Sequence, residues 1–512
     1  MHNWIISFFI IQIIHFLGTW RLYQKAGRKS WEAATPIYNL MVMLKINQRP
    51  LWWTFLFFLP IICVVMYGIL WVDFIRCFGK RSTKDTWLVL ITLGGYIYYL
   101  NYTKQTQYIS PENRKETMVS AMLFAIVFAS SIHTYLVQPF TIPTPSMERT
   151  LLVGDFMFVS KIHYGLRIPI TPIGVLFTHN TLPVLSIKSY VDCIRLPYMR
   201  LPAIDTIKRN DIVVFNFPTD FSQTAPDRKD NYIKRCVALP GDVLEIRHGS
   251  LFVNGQPEQL PQNTEKQYIY IIKTSKIPLN LDYLQNQMGI KDIQTLENEE
   301  YTPDPGNMTY VYQIILTQAH AEVIKSFDNV TSVEKNIFSK TFKEEGIFHK
   351  NSGWNRDFYG PLQIPKKGDL IRLDPNNIEI YHNIITQYEG NTLKEKEGRF
   401  YINDQETSEY TIGQNYYFMM GDNRHNSLDS RYFGFVPEDH IVGKPILTWL
   451  SIDWDRDNPI NIFKWKFRWE RIMTLTNEER QKKTSYLPYV LGTLSVYFIY
   501  LFFSEKRKKK KK

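Results

Sequence analysis

Five long apolar runs divide this chain into membrane-like segments and one long stretch of mixed composition. They cover residues 4–17, 51–72, 87–102, 118–137 and 486–503, with few charges inside them. A helix needs about 20 apolar residues to cross the hydrocarbon core of a bilayer. We therefore expect 51–72, 118–137 and 486–503 to span a membrane as helices, whereas the other two runs are short for this.

Basic residues fill the tail 504–512 and contribute much of the net charge of +11. Such a cluster after an apolar run marks the cytoplasmic side and favours contact with anionic lipid. Residues 139–485 then lie outside, and 118–138 is the anchor that leads into them. No basic stripe with interleaved aromatic residues accompanies the tail, so membrane lipid is an expected partner and nucleic acid is not.

The topology of residues 1–117 stays open, because two basic loops compete for the cytoplasmic side. These loops are 18–50 and 73–86. If every apolar run spans the membrane, 73–86 lies outside. If 87–102 is only interfacial, 18–50 lies outside instead.

The middle of the chain has the alternation and turn signals of antiparallel strands. Ser250–Val253, for example, is followed by Asn254-Gly255, a strong hairpin signal. Further strand candidates are Asp211–Phe217, Val243–Arg247, Leu370–Leu373, Arg399–Ile402 and Tyr416–Met420, while helical periodicity is scarce except around 318–326. The fold class is therefore a mainly β soluble domain of antiparallel sheets anchored by several transmembrane helices. Its core comprises 139–256 and 361–455, and the more polar residues 257–360 form an insertion.

Cysteine and histidine usage points away from metal chemistry. The four cysteines include no CxxC pair, and the scattered histidines form no HExxH motif. No metal and no cofactor is therefore expected. A Cys193–Cys236 disulfide is one alternative, although free buried thiols fit better.

The first stretch that carries chemistry is Phe140–Asp155, which starts just after the predicted anchor. Pro143 and Pro145 bracket Thr144 and hold the backbone extended. Ser146 in such a rigid turn presents its hydroxyl and N–H in fixed positions, as a nucleophile with an oxyanion hole requires. Taken alone, a plain juxtamembrane linker is the default interpretation of this stretch.

The second stretch is the apolar, strand-like Tyr232–Asp242. Alternation places Lys234 on the same face as Tyr232 and Cys236. If that face is the core, the amine loses water and its pKa falls toward neutrality, as a general base needs. An exposed strand lysine is the default interpretation of any single lysine.

The third stretch, Gly421–Arg431, is rich in short polar side chains that brace turns. Asp429 and Arg431 are suitably placed to form an ion pair. In isolation the stretch is a structural turn, and Lys208–Phe215 is purely structural.

Together these stretches resemble, in order and spacing, the boxes of the bacterial type I signal peptidases, serine proteases with a Ser–Lys dyad. Similar to those boxes are Ile142–Met147 (nucleophile), Gly154–Lys161 (following strand), Arg209–Phe215 (structural), Tyr232–Asp242 (general base) and Gly421–Pro437 (last box). The resemblance covers about 118–256 and 355–450. It implies a mainly β core with an inserted second domain.

By this resemblance Ser146 is the nucleophile and Lys234 the general base. The Thr144 hydroxyl joins the Ser146 N–H in the oxyanion hole, and Ser427 orients the lysine. The other implied residues are the supporting ion pair of Asp429 and Arg431 and the substrate pockets near Phe140, Ile142, Leu151, Tyr232 and Ile233.

Three positions depart from the family pattern. Pro145 stands where glycine or serine is common, the segment Met147–Thr150 lacks its frequent proline, and His425 replaces an acidic residue. Pro145 matters most, because it lacks an N–H and stiffens the approach to Ser146.

The resemblance implies a multi-pass signal peptidase of the bacterial inner membrane, with its catalytic domain on the outer face. Its partners are exported preproteins, cleaved after small residues of the Ala-x-Ala type. Pro145 motivates one alternative, a catalytically impaired scaffold that binds preproteins. The other alternative is a narrow-specificity Ser–Lys protease for pilin-like or conjugation proteins.

Overall fold

The computed structural model describes residues 2–111, 118–175, 178, 180–182, 185, 187–221, 225–261, 264–275, 277–296, 309–453, 461–476 and 484–510. Parts of the predicted N-terminal region, insertion, core and basic tail, at 112–117, 297–308, 454–455 and 511–512, lie outside the described residues. The chain divides into two compact units. The helical unit is Met1–Tyr135 with Ile168–Met199, and the β unit is Leu136–Arg167 with Arg200–Lys512.

Helices make up most of the helical unit. They are α1 (His2–Lys25), α2 (Tyr38–Ile46), α3 (Trp53–Leu56), α4 (Ile62–Arg76), α5 (Thr83–Ile91), α6 (Gly95–Tyr102) and α7 (Met118–Ser131). The side chain of Asn101 joins α6 to α1, since its Nδ2 donates to the Leu17 carbonyl and its Oδ1 accepts from the Leu22 N–H, both at 3.0 Å.

Two apolar runs that the sequence predicts as continuous are each divided in the structure. The run 51–72 splits into α3 and α4, with Pro60 in the break. Proline lacks the N–H that would continue a helix. The run 87–102 splits into α5 and α6 at Gly94, whose φ of +86° lies outside the helical region.

Of the three remaining runs, 4–17 lies within α1, and 118–137 and 486–503 have different bounds from those expected. Helix α7 ends at Ser131 and passes through a π-helical turn, Ile132–Leu136, into a strand that starts at Val137. The last helix, α12 (Leu487–Lys510), continues through the basic residues. Among the described residues, no helix combines the length and apolarity needed to cross a membrane, so the predicted transmembrane helices are not confirmed.

Strands dominate the β unit. They are β1 (Val137–Thr141), β2 (Asp155–Ser160), β3 (Ile212–Asn216), β4 (Asn231–Ala238), β5 (Val243–Arg247), β6 (Ser250–Val253), β7 (Gln256–Pro257), β8 (Gln267–Ser275), β9 (Ile293–Thr295), β10 (Thr309–Thr317), β11 (Val330–Lys335), β12 (Tyr359–Gln363), β13 (Leu370–Arg372), β14 (Leu393–Lys396), β15 (Arg399–Ile402), β16 (Gln405–Glu406), β17 (Glu409–Thr411), β18 (Tyr416–Met420), β19 (Val436–Pro437), β20 (Ile441–Asp453), β21 (Lys466–Phe467) and β22 (Thr474–Leu475). The helices among them are α8 (Leu281–Asn286), α9 (Gln318–Lys325), α10 (Ile378–Asn383) and α11 (Ser430–Phe433). The antiparallel, mainly β fold predicted for this part of the chain is confirmed.

The largest sheet has the strand order β1-β2-β20-β3-β4-β18-β19, with β21 and β22 pairing to β20. Alternate residues of β3 pack into different hydrophobic clusters: Val213 and Phe215 into one, Ile212 and Val214 into the other. The sheet is therefore buried on both faces around β3 and β4. Because β21 and β22 join β20, this sheet extends beyond the predicted end of the core at residue 455.

The insertion has a sheet and a core of its own, which the sequence did not reveal. Its strand order is β11-β8-β10-β9, and α8 and α9 pack with it around residues such as Ile272, Leu284 and Ile314. We call the described residues of 264–335, which are 264–275, 277–296 and 309–335, the insertion sheet. The chain then returns through β12, which pairs with β5.

Two smaller predictions have clear outcomes. The Asn254-Gly255 hairpin forms, with positive φ at both residues (54° and 76°) and β6 paired to β7. All four cysteines are free, so the alternative disulfide is wrong. The thiol of Cys236 is buried as expected, but Cys193 is exposed.

Candidate active site

The predicted nucleophile lies in a tight turn that starts at Pro145, shortly after β1 ends at Thr141. Pro145–Met147 forms a single turn of 3-10 helix with Pro145 in its first position. A proline is well placed there, because the N–H groups of a first helical turn have no intrahelical partner and its φ is already helical. Pro145 therefore fits this turn, and Ser146 is only 7% exposed.

Lys234 lies in the middle of β4, opposite Val213 of β3. It is 3% exposed, and its Nζ lies 2.8 Å from Ser146 Oγ and 3.0 Å from the carbonyl oxygen of Ile233. Burial lowers the pKa of the amine to about 8, against the opposing influence of the Asp429 and Asp422 carboxylates. A lysine in this state is half neutral at mildly alkaline pH and can accept a proton from the hydroxyl beside it.

A buried carboxylate ties the strand of the lysine to the chain that follows the serine. Asp422 accepts two hydrogen bonds from the Arg235 guanidinium, at 2.7 and 2.6 Å, and one from the Thr150 hydroxyl at 2.6 Å. Burial raises the pKa of Asp422, but Arg235 outweighs it and holds the pKa below its usual value. Through Asp422, the Arg235 side chain of β4 is thus linked to Thr150, four residues after Ser146.

Asn423 holds the nucleophile turn by donating hydrogen bonds to two backbone carbonyl groups of that turn. Its backbone N–H donates to the Ser146 carbonyl at 3.1 Å and its Nδ2 donates to the Pro145 carbonyl at 3.2 Å. Gly421 makes this approach possible, because a Cβ there would lie 2.5 Å from the Ser146 carbonyl oxygen and 2.3 Å from Ser427 Oγ. Only glycine fits at that position.

The supporting residues Ser427, Asp429 and Arg431 of the last box lie close together in the structure, but one contact implied by the resemblance is missing. Asp429 and Arg431 form a buried ion pair at 2.8 Å, and the Gly421 N–H donates to Asp429 at 3.1 Å. Ser427 is placed beside Gly421, but the Lys234 amine donates to Ser146 and Ile233 rather than to it. The hydrogen bond from Ser427 to the lysine, implied by the resemblance, is therefore not formed.

The predicted oxyanion and pocket residues fall into three environments. Thr144 is exposed next to the nucleophile turn. Phe140, Ile142, Leu151 and Ile233 belong to the cluster under that turn, together with Met147. Tyr232 belongs instead to the cluster on the other face, where it stacks on Phe217 with ring centroids 4.5 Å apart.

Four residues of this arrangement were missed by the sequence reasoning as members of the site: Thr150, Arg235, Asp422 and Asn423. One signal was available for Arg235, since an arginine inside an apolar strand requires a buried acidic partner. The two carbonyl contacts of Asn423 depend on tertiary structure, and no sequence pattern marks them.

His425 departs from the family pattern, and the insertion compensates for it. Its Nδ1 accepts from the Ile269 N–H at 3.2 Å, and its Nε2 donates to Asp357 Oδ1 at 3.0 Å. Burial lowers the pKa of His425, although Asp357 opposes this. The neutral imidazole thus pairs with a carboxylate supplied by Asp357, so the site keeps an acidic group near this position.

The site also lacks the features of a metal centre. Within the part of the chain that the structure describes, no group of three or more His, Cys, Asp or Glu side chains is arranged to hold a metal ion. The chemistry available is that of a hydroxyl beside a buried amine.

Comparison with protein families agrees with this geometry. The family model described as signal peptidase, peptidase S26, matches residues 115–305 and 324–450, which include both Ser146 and Lys234. The chain belongs to this family. It is a type I signal peptidase by family and a serine endopeptidase by activity class.

Relatives of this signal peptidase cover most of both chains. Signal peptidase I of Buchnera aphidicola subsp. Baizongia pistaciae is 27% identical over 357 residues, 69% of this chain and 82% of the relative. Signal peptidase I of Haemophilus influenzae is 23% identical over 395 residues, covering 72% and 77%. That of Aquifex aeolicus is 26% identical over 331 residues, covering 64% and 82%.

The N-terminal part of this signal peptidase matches a different family. Residues 31–111 match a family of unknown function, DUF5684. These residues all belong to the helical unit, whereas the signal peptidase match covers parts of both units.

Proposed function

We propose that this enzyme cleaves N-terminal signal peptides from exported preproteins after small residues of the Ala-x-Ala type, with Ser146 as nucleophile and Lys234 as general base. The observation that carries the proposal is the 2.8 Å separation of Lys234 Nζ and Ser146 Oγ inside a buried site. The relatives that bear the name signal peptidase I support the substrate class.

The first half of the reaction transfers the acyl group to the serine. Neutral Lys234 takes the Ser146 proton, and Oγ attacks the carbonyl carbon at the end of the signal peptide. The tetrahedral intermediate collapses as the lysine returns that proton to the leaving amine. The mature protein departs, and the signal peptide remains as an ester on Ser146.

The second half uses the same amine with water. Lys234, neutral again, takes a proton from water while the oxygen attacks the ester. The proton then passes to Ser146 Oγ, which releases the signal peptide as a carboxylic acid. The lysine ends each cycle in its starting state.

Two donors at the nucleophile turn are proposed to stabilise the oxyanion. One is the Ser146 N–H, which lies in the first helical turn and has no use within that turn. The other is the exposed Thr144 hydroxyl, next to Pro145. Because Asn423 binds carbonyl groups on this turn, the backbone that carries both donors is held fixed.

Preference for small residues follows from packing below the turn. Ile142 and Leu151 are 2% and 0% exposed, and both pack against Met147. Because these side chains fill the space below Ser146, a substrate pocket there can accept only a side chain as small as a methyl group. This is the basis for the proposed Ala-x-Ala preference. The supporting roles of Asp429 and Arg431 remain part of the proposal, and Ser427 is retained only as a neighbour of Gly421.

Cleavage of a purified preprotein tests this function. The full chain should cut an Ala-x-Ala preprotein at one bond, Ser146→Ala should abolish the cut, and Ser326→Ala, at an exposed serine, should not. Leucine in place of the last alanine of the substrate should also prevent cleavage. A folded wild type that leaves the preprotein intact, or cleavage that survives Ser146→Ala, overturns the proposal.

We further propose that the β unit lies against anionic lipid on the outer face of the membrane. The support is Ile462–Trp469, the basic–aromatic strip, which the sequence analysis overlooked. Phe463 and Trp469 are 94% and 63% exposed, and lysines 464 and 466 alternate with the aromatic residues. Aromatic side chains favour the bilayer interface and lysines favour anionic headgroups.

Contacts of the strip place it close to Phe140–Asp155, the nucleophile segment, which contains Ser146. Phe467 pairs with Ile452 of β20, and Arg468 donates to the Val153 carbonyl at 3.0 Å. A preprotein whose apolar segment is still in the bilayer would thus meet the site near the lipid surface.

Site-specific labelling tests the lipid contact. An environment-sensitive fluorophore on Phe463→Cys, in a Cys193→Ser background and in vesicles with anionic lipid, should shift to the blue and be quenched from within the bilayer. The same label on Leu370→Cys, an exposed apolar site of β13, should do neither. Equal behaviour of the two labels contradicts the lipid contact.

A further inference from the structure

The insertion sheet contacts the nucleophile segment through Arg149, three residues after Ser146. Arg149 Nη2 lies 3.1 Å from the Met288 carbonyl oxygen, 3.5 Å from the Gly289 carbonyl oxygen and 3.2 Å from His320 Nδ1. Arginine has donors and no acceptor, so His320 Nδ1 is the acceptor and the imidazole carries its proton on Nε2.

The acceptors of Arg149 are held by the fold of the insertion sheet. The Met288 N–H donates to the Tyr283 carbonyl at 3.3 Å, and Met288 packs against the core of the sheet. The His320 N–H donates to Thr317 Oγ1, which caps α9. Burial, and then the neighbouring guanidinium, lowers the pKa of His320 to about 4, so this ring stays an acceptor at neutral pH.

The backbone at Arg149 indicates that these contacts hold it in an unfavourable conformation. Its φ is +72°, in the left-handed region that residues with a side chain rarely adopt. The next residue, Thr150, donates to Asp422 of the last box at 2.6 Å. The segment is therefore fixed from two directions, by the insertion sheet and by the last box.

A second bridge joins the insertion sheet to the nucleophile turn. At the start of β8, the Gln267 N–H donates to the Asp422 carbonyl at 3.0 Å and the Gln267 carbonyl accepts from the Arg424 N–H at 2.9 Å. Between these two lies Asn423, which donates to the Ser146 carbonyl. The insertion sheet thus brackets the turn, through Gln267 on one side and Arg149 on the other.

We propose that the insertion sheet positions the nucleophile, and that Arg149 is the positioning residue that transmits this to Ser146. The inference rests on the proposed role of Ser146. Arg149 touches neither substrate nor reacting atoms in this scheme, and it acts by fixing the chain that leaves the nucleophile turn.

Kinetics of the full-length enzyme on an Ala-x-Ala preprotein test the proposal. Arg149→Met should lower kcat about tenfold with KM within about twofold, because a misplaced nucleophile slows chemistry and not binding. Arg149→Lys, which keeps one donor, should recover part of the loss. Arg399→Met, at an exposed arginine of β15, is the matched control and should leave kcat unchanged.

The partner side chain provides a second, independent measurement. His320→Leu removes the acceptor and should lower kcat several-fold, whereas His320→Gln retains an acceptor and should not. In Arg149→Met/His320→Leu the two losses should not multiply, since both remove one interaction.

The outcomes separate this inference from the proposed function. A folded Arg149→Met with wild-type kcat, or losses that multiply in the double variant, overturns the positioning role. If Arg149→Met does not fold, His320→Leu decides, and wild-type kcat in that variant overturns the role as well. Cleavage that survives Ser146→Ala removes the proposed function instead, whatever Arg149 does.

Discussion

Two buried lysines of the β unit have similar pKa values and very different neighbours. Lys229 and Lys234 are 5% and 3% exposed, and burial lowers the pKa of each to about 8. Lys229 Nζ donates to the Pro218 carbonyl at 2.9 Å and lies 3.1 Å from His440 Nε2, whereas Lys234 Nζ lies 2.8 Å from Ser146 Oγ. A lowered pKa therefore does not by itself make a lysine a general base.

The surroundings of Lys229 suit a structural role. Asn216 Nδ2 donates to the Lys229 carbonyl at 2.9 Å, and His440 Nδ1 lies 2.6 Å from Asp439. The described polar neighbours of the Lys229 amine include the Pro218 carbonyl and the His440 imidazole, in contrast to the Ser146 hydroxyl beside Lys234. The comparison predicts that the function of a buried lysine follows the group its amine contacts.

The largest expected difference lies in activity. Lys234→Met should lower kcat/KM for preprotein cleavage by at least about a thousandfold, because the base is lost. Lys229→Met should keep it within about threefold. A steady-state cleavage assay measures both, with circular dichroism to establish that each variant is folded. Comparable losses in the two variants would break the comparison.

Removal of one oxyanion donor should have the next largest effect. Thr144→Val should lower kcat about a hundredfold, the usual cost of one such donor, while Thr144→Ser should retain most activity. Thr141→Val, at an exposed threonine of β1, is the matched control. If Thr144→Val and its control have the same kcat, the hydroxyl takes no part in stabilising the oxyanion.

The sequence was sufficient to propose Lys234 and Thr144 as site residues, but the burial and contacts of these residues could be known only from the structure. The boxes named Ser146 and Lys234 as partners, and their Oγ and Nζ lie 2.8 Å apart in the structure. Alternation put Lys234 on the same strand face as Tyr232 and Cys236, and Lys234 is buried. The pattern favoured burial of Lys234, which lies in an apolar run, but gave no sign that Lys229 in a polar stretch is buried as well. The two amines differ in the chain segments that pack against them, and this depends on tertiary structure.

The insertion and the apolar runs illustrate the same limit. Strands were predicted where alternation and turn signals coincide, but within 257–360 the sequence pattern indicated only a polar insertion with helical periodicity around 318–326. That periodicity corresponds to α9. The long strands β8 and β10 were missed because most of their residues are buried or half-buried, so apolar and polar positions do not alternate cleanly. The reading of 51–72 as one helix gave too little weight to Pro60.

The pH dependence sharpens the comparison further. Only the neutral form of Lys234 is a base, so kcat/KM should rise with pH, by about tenfold per unit below pH 8, and level off above it. The same profile is expected for Lys229→Met, because the Lys229 amine has no role in the reaction. A profile that moves in Lys229→Met, or one that falls between pH 6 and 8, contradicts the assignment of the base.

The smallest expected effect is on stability, and it has the opposite sign to the effect on activity. The pKa of Lys234 is about 8 in the folded chain against an ordinary value of 10.5, so the unfolded chain binds more protons between these values and stability rises with pH across that window. Below pH 8 the cost of burying the ammonium is present in full.

Lys234→Met removes that cost and should stabilise the β3–β4 region by about 1 to 3 kcal/mol at pH 7. The gain should shrink as the pH approaches 10.5. Lys229→Met should gain less, because it leaves the Pro218 carbonyl and His440 without the lysine donor. Hydrogen exchange of the β3 and β4 amides measures the stability of both variants. Faster exchange in Lys234→Met than in the wild type would show that the amine stabilises its site. That result would contradict the expectation that the buried amine lowers stability.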